Sequence, residues 1–186
     1  MSLDLRQTGI AGCCEIYPRI FQDERGLFVK TFHQDFFAVH GLATCYAEEY
    51  YSFSRRGVLR GLHFQRPPRE HAKLVYCVAG EVLDAVVDLR VGSPTYSRYE
   101  TVVLSAQKAN MLYIPPGLAH GFYVTSESAT MMYKVTTVYS PEHDSGILWD
   151  SVGIPWPDPC PVISDRDRGL LPFSAFASPF SHAEQG

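Results

Sequence analysis

The sequence predicts an all-β, antiparallel protein, and three observations carry that prediction. Between Gly57 and Thr137 the chain is a succession of short β-branched and aromatic runs, each bounded by Gly, Pro, Asn or Ser clusters. Nowhere do strand and helix patterns alternate as a doubly wound fold requires. The aromatic content of 13%, with eleven Tyr and eleven Phe, suits sheets around a lined cavity better than a helical bundle.

The expected strands follow in order as GVLRGLHF, KLVYCVAG, EVLDAVVDLR, RYETVVLS, NMLYIPPG, HGFYVTS and ATMMYKVTTVY. In VLDAVVDLR the alternation places Leu83, Ala85, Val87 and Leu89 on one apolar face, expected to pack between sheets. Asp84 and Asp88 share the other face. Asp88, beside Arg90 and a turn, is expected in solvent or in a local pair, whereas Asp84 is mid-strand and faces either solvent or a cavity. Helical turns are expected only near Gln34–His40 and Ser164–Gly169, where Ser164 can cap a short acidic start. After Tyr139 the composition shifts to Pro, Gly and Asp, with Trp149 and Trp156 as anchors. This reads as a C-terminal wrap, about 140–186, around a β-barrel.

At 186 residues and 46% hydrophobic, the chain supports one core and hence a single domain, 1–186. Its net charge of −4 and lack of any Lys/Arg run argue against a nucleic-acid partner. No basic-then-apolar start and no long apolar stretch is present, so no membrane association is expected and the cytoplasm is the expected compartment. Five cysteines without a C-x-x-C pair are expected as reduced, mostly buried thiols.

Several polar residues fall on otherwise apolar strands. RGVLRGLHFQ carries Arg60 and His63, with Gly61 between them able to host a bulge that turns both side chains to one side. Lys73 follows on the next strand. In PPGLAHG, a turn forced by two prolines and a glycine fixes His120 at the mouth of the barrel. Tyr133 and Lys134 lie mid-strand, and Tyr139 opens the tail. Two His, an Arg, a Lys, an Asp and a Tyr are costly to bury unless they pair or face a wet pocket, so a pocket is the simpler account.

Asp23, Arg25, Gly26 and Phe28, then GVLRGLHFQ (57–65), KLV to VVDLR (73–90), IPPGLAHGF (114–122) and YKVT-x2-Y (133–139) resemble the dTDP-4-dehydrorhamnose 3,5-epimerase family over most of the chain. The resemblance implies a cupin-type jelly roll, no cofactor, a nucleotide-sugar substrate and a homodimer with its N-terminal strands, about 1–50, at the interface. It assigns His63 as base, with Asp167 as its support and Asp165 as the less favoured alternative. Tyr133 becomes the proton donor on the opposite ring face, and Lys73 the cation near the keto oxygen. Arg60, Asp84, His120 and Tyr139 fall on pocket positions. Arg25 and Phe28 fall where the family meets the nucleotide, often from the neighbouring subunit.

The chemistry agrees with those roles. Removing a proton beside a ketone makes an enolate whose charge must be met as it forms, which Lys73 can do, and a neutral His held by Asp is a suitable base near pH 7. The rival classes are a metal-dependent cupin enzyme with His63, Glu70 and His120 as ligands, and a non-catalytic sugar-nucleotide binder. The first is weakened because Gln65 stands where the usual H-x-H motif has a second imidazole. Four positions depart from the family pattern. Lys30 replaces a usual Glu, and Glu48, Glu49 and Tyr50 replace Q-D-N. Lys30 could pair with Glu48 or Glu49, or favour a base other than thymine, as in a CDP- or GDP-sugar. Tyr50 could narrow the pocket and restrict inversion to C3 or C5 alone.

Overall fold

The computed structural model describes residues 3–182. Its strands are β1 (Leu3–Gln7), β2 (Cys14–Pro18), β3 (Ile20–Asp23), β4 (Gly26–Val29), β5 (Glu48–Arg55), β6 (Leu59–Gln65), β7 (Lys73–Ala79), β8 (Glu81–Asp88), β9 (Tyr99–Ser105), β10 (Met111–Ile114), β11 (Leu118–Val124), β12 (Ser128–Val135) and β13 (Asp144–Gly146). Two short helices, α1 (Gln34–Val39) and α2 (Asp165–Arg168), lie where the sequence places helical turns. The Ser164 hydroxyl accepts from the Asp167 N–H at 3.1 Å, the expected cap of α2.

A six-stranded sheet runs in the order β1-β2-β10-β7-β12-β5, and a five-stranded sheet in the order β13-β6-β11-β8-β9. From β5 onward the chain changes sheet at almost every connection, so the two layers are woven together. Their inner faces share one core, in which Val75 and Met131 of one sheet meet Val82, Val86 and Phe122 of the other. Each such side chain contributes about 1.5–3 kcal/mol on leaving water. The all-β jelly-roll reading therefore holds, but the sheets stay separate layers and do not close into a continuous barrel. β3 and β4 form a two-stranded hairpin of their own.

One expectation is reversed. Ala85, Val87 and Leu89 do not pack between the sheets; they meet Ile147, Ile154 and Phe180 of the C-terminal wrap on the outer face, while Leu83 is only half-buried. The inner face of β8 carries Val82, Asp84 and Val86. Alternation divides a strand into two faces but does not say which is inner when both are covered. Asp88 is fully buried and takes the local pair: Arg90 lies 2.8 Å away, and the Ser93 and Thr95 hydroxyls donate to the carboxylate. These donors hold its pKa down at about 2 against the opposing effect of burial. Cys13, Cys14 and Cys77 are buried thiols, Cys45 and Cys160 are exposed, and all five are free. Among the described residues, no helix is long and apolar enough to cross a membrane.

Candidate active site

The strand β6 is aimed by a bulge. Opposite β11, His63 pairs with His120 and Arg60 with Phe122, so Gly61 and Leu62 together oppose Gly121 alone. Gly61 sits at φ +147°, and a Cβ there would lie 2.7 Å from the Gly121 Cα. Only glycine permits this approach, and its result is that Arg60 and His63, three residues apart, both line one pocket between the sheets. That pocket, about 360 Å³, is within the size range of small-ligand sites.

His63 Nε2 lies 2.7 Å from Asp167 Oδ1, and the Gly61 N–H donates to Asp167 Oδ2 at 3.4 Å. The carboxylate is buried and is carried by the capped first turn of α2, so one serine on the tail fixes the partner of a residue more than a hundred positions earlier. Burial pulls the His63 pKa below its ordinary value, with Asp167 pulling it partly back. Burial of Asp167 is outweighed by His63 and the Gly61 amide, which hold its carboxyl below the usual range. A ring held in this way donates its Nε2 proton to Asp167 and keeps the Nδ1 lone pair. Asp165 instead pairs with Arg168 at 2.7 Å.

The opposite wall belongs to the six-stranded sheet. Lys73 is buried, donates to the His63 carbonyl at 3.2 Å, and is lowered to about 8 by burial, with Asp144 and Asp84 opposing. Tyr133 is buried with its hydroxyl 3.2 Å from Ser52 Oγ, and burial raises its pKa. On the five-stranded sheet, beside His63, His120 Nε2 meets Asp84 Oδ2 at 2.8 Å; Asp84 is fully buried behind His120 and does not itself line the pocket, and burial pushes its carboxyl up, with His120 opposing. Arg60 is held on Ser54 Oγ at 2.9 Å.

Tyr50 pairs directly with Tyr133 across β5 and β12, and their rings stack at 4.7 Å. Burial, with Glu48 and Asp144 nearby, raises the Tyr50 phenol to about 12. The Glu48 carboxylate accepts the Tyr139 N–H at 2.7 Å, and Glu49 pairs with Lys134 at 2.6 Å. Glu48, Tyr50 and Tyr139 line the pocket. Arg25, Phe28 and Lys30 do not. Arg25 is exposed in the β3–β4 turn and paired with Asp23, and Phe28 is 62% exposed on the hairpin. Phe28 and Lys30 line a second, more apolar cleft with His33 and Phe36.

Sequence reasoning missed Ser52, Gln65, His71, Asp144 and Arg166, all in the pocket wall. Arg166, which pairs with Asp144 at 2.7 Å, could have been suspected from its place beside Asp167. Gln65 closes the GVLRGLHFQ block but was weighed only against a metal motif, and Ser52, His71 and Asp144 lay in strands and loops without any local signature. Glu70, offered as a metal ligand, lines a separate cleft with Arg90 and Phe180. Among the described residues, no three His, Cys, Asp or Glu side chains converge on a metal position.

Groups able to take a proton and to return one stand on facing sheets of this pocket, which is the equipment of an isomerase working on a weak carbon acid. The chain belongs to the dTDP-4-dehydrorhamnose 3,5-epimerase family, whose model matches residues 7–175. A Shigella flexneri dTDP-4-dehydrorhamnose 3,5-epimerase is 44% identical over 168 residues, covering 89% of this chain and 93% of the relative. The crystal structure of a Legionella pneumophila dTDP-6-deoxy-D-glucose-3,5-epimerase in complex with dTDP-4-keto-L-rhamnose aligns with a TM-score of 0.92 at 34% identity, covering 98% of this chain and 100% of that one. A 3'-monoepimerase from Streptomyces bikiniensis, solved with dTDP-quinovose, aligns at 0.85 and 33% identity, covering 90% and 86%.

Proposed function

We propose that the chain inverts C3 and C5 of dTDP-4-keto-6-deoxyglucose through enolate intermediates. The observation that carries this reading is the placement of the His63–Asp167 dyad on one sheet and Tyr133 on the other. Neutral His63 takes the proton from carbon next to the ketone through Nδ1, and Asp167 stabilises the imidazolium that results. The electron pair of the broken C–H bond moves onto the keto oxygen, where the Lys73 ammonium meets the charge. A preorganised donor at such an oxyanion is worth about 2.7–4 kcal/mol. Tyr133 then protonates the same carbon from the opposite face, which inverts it. The phenolate regains a proton and His63 releases its own before the second centre reacts.

Arg60, Tyr139 and His120, the last held from behind by Asp84, serve as pocket groups that hold the sugar nucleotide. The hairpin residues Arg25, Phe28 and Lys30 serve its nucleotide end from a partner subunit, in a homodimer joined through the N-terminal strands. The exposed Leu27 and Phe28, and the exposed Tyr51 and Phe53 on the sheet-edge strand β5, support such an interface. A cytoplasmic location agrees with five free thiols. Competition among dTDP, CDP and GDP tests the base; tighter binding of CDP or GDP would assign Lys30 a different nucleotide.

A second reading is favoured by the Tyr50–Tyr133 stack: a phenol ring beside the donor restricts reprotonation to one centre. Proton NMR in heavy water decides between the two. Deuterium at both C3 and C5 that disappears in His63→Ala is the expected result, deuterium at one centre supports the restricted reading, and exchange that survives the substitution removes His63 as base.

A further inference from the structure

His71 lies on the loop between β6 and β7, two residues before Lys73, and lines the same pocket. Its Nδ1 has neighbours for either tautomer. Gln65 Nε2 is 3.2 Å away and Thr137 Oγ1 is 3.3 Å away. The Gln65 amide cannot be turned round, because its Oε1 accepts the Ser140 N–H at 2.6 Å and its NH2 donates to the Arg69 carbonyl at 2.8 Å. The Thr137 hydroxyl donates to that same carbonyl at 3.0 Å and can take the Gln65 amide on one lone pair at 3.3 Å, which leaves the other to accept. Nδ1 therefore either accepts from Gln65 or donates to Thr137.

Nε2 is different: it is buried and has no hydrogen-bond partner. Burial, together with the charges of Lys73 and His120, holds the ring at a pKa of about 3, so it is neutral throughout the working range. A buried polar atom with no partner is costly unless something supplies one, and the nearest open space His71 borders is the pocket it lines. A neutral ring is a poor match for a phosphate and a good one for a hydroxyl, which both donates and accepts. The tautomer can follow either role, because Nδ1 is served in both.

We propose that His71 is a sugar-contacting residue, its Nε2 forming a hydrogen bond with a hydroxyl of the hexose ring and helping to orient that ring against His63. This rests on the epimerase reading given above. It predicts a specific pattern among substitutions, because Gln carries its amide near the position of Nε2 whereas the shorter Asn carries it near Nδ1.

The experiment measures KM and kcat for dTDP-4-keto-6-deoxyglucose, the Kd of dTDP alone, and the melting temperature for His71→Gln, His71→Asn and His71→Phe. His71→Asn and His71→Phe are expected to raise KM by about three- to tenfold, the worth of one uncharged hydrogen bond. Their affinity for dTDP, which lacks the hexose, is expected to stay at the wild-type value, and His71→Gln to restore KM. Wild-type KM in His71→Asn, equal weakening of dTDP, or a loss of kcat and melting temperature at constant KM would each overturn the proposal. Should the phenylalanine variant not fold, the Gln–Asn pair decides alone. Failure of the wild-type protein to turn over this substrate would strike the epimerase reading itself, which separates the two.

Discussion

In the proposed mechanism His63 and Lys73 work in opposite protonation states, and this sets the expected pH dependence of the reaction. The base must be neutral, and burial places its pKa below the ordinary histidine value, so activity is lost as pH falls through a point under about 6.5. The lysine must be charged to meet the enolate, and burial lowers it to about 8, so activity is lost again as pH rises past that value. The expected kcat/KM profile is a bell with its upper limb near pH 8. In Lys73→Arg, whose guanidinium does not titrate in this range, the upper limb is expected to vanish while the lower one stays. An unchanged upper limb would assign it to another group. The proposed base, donor and cation could be named from the sequence because His63, Tyr133 and Lys73 sit inside long family-like blocks. His71 was not, because a histidine on a loop is identified only by its unmatched nitrogen, a feature of packing.

At the scale of elements, the bulge in β6 was readable as a glycine between two functional side chains, and the structure gives it a reason in the Gly61–Gly121 approach. Replacing Gly61 by Ala forces a Cβ to within 2.7 Å of the facing backbone at a φ of +147°. The strand must then shift, carrying Arg60 and His63 with it. Gly61→Ala is expected to lower kcat by at least about tenfold, since misplacement by a fraction of an ångström already disturbs a proton transfer. It is also expected to lower the melting temperature by several degrees, at about 4 °C or less per kcal/mol for a chain of this size. Wild-type kcat in that variant would show that the bulge does not aim His63. The faces of β8 were not legible in the same way. Its apolar row was clear, but the row packs under Ile147, Ile154 and Phe180, and residues so far along the chain leave no mark on local periodicity. The tail's other task, carrying Asp167 to His63, was accessible only through resemblance.

At the scale of the whole molecule, the hairpin is the element the isolated chain does not explain. It forms a separate two-stranded sheet, exposes Leu27 and Phe28, and keeps Arg25 away from the pocket that holds His63. If the hairpin completes a partner's site, each working site combines the pocket of one subunit with the hairpin of the other. A His63→Ala chain then contributes a good hairpin and a dead pocket, and an Arg25→Ala/Phe28→Ala chain the reverse. In a heterodimer of the two, one site carries both defects and the other carries neither. Refolding the variants together in equal amounts yields heterodimers in about half of the dimers, each with one intact site, so about a quarter of wild-type activity should return from two weak parents. If each hairpin serves its own pocket, no intact site forms, and the mixture shows only the average of its parents. Turnover of the co-refolded mixture, with a sizing column to verify the dimer, distinguishes these arrangements directly, because restored activity requires residues of two chains in one site.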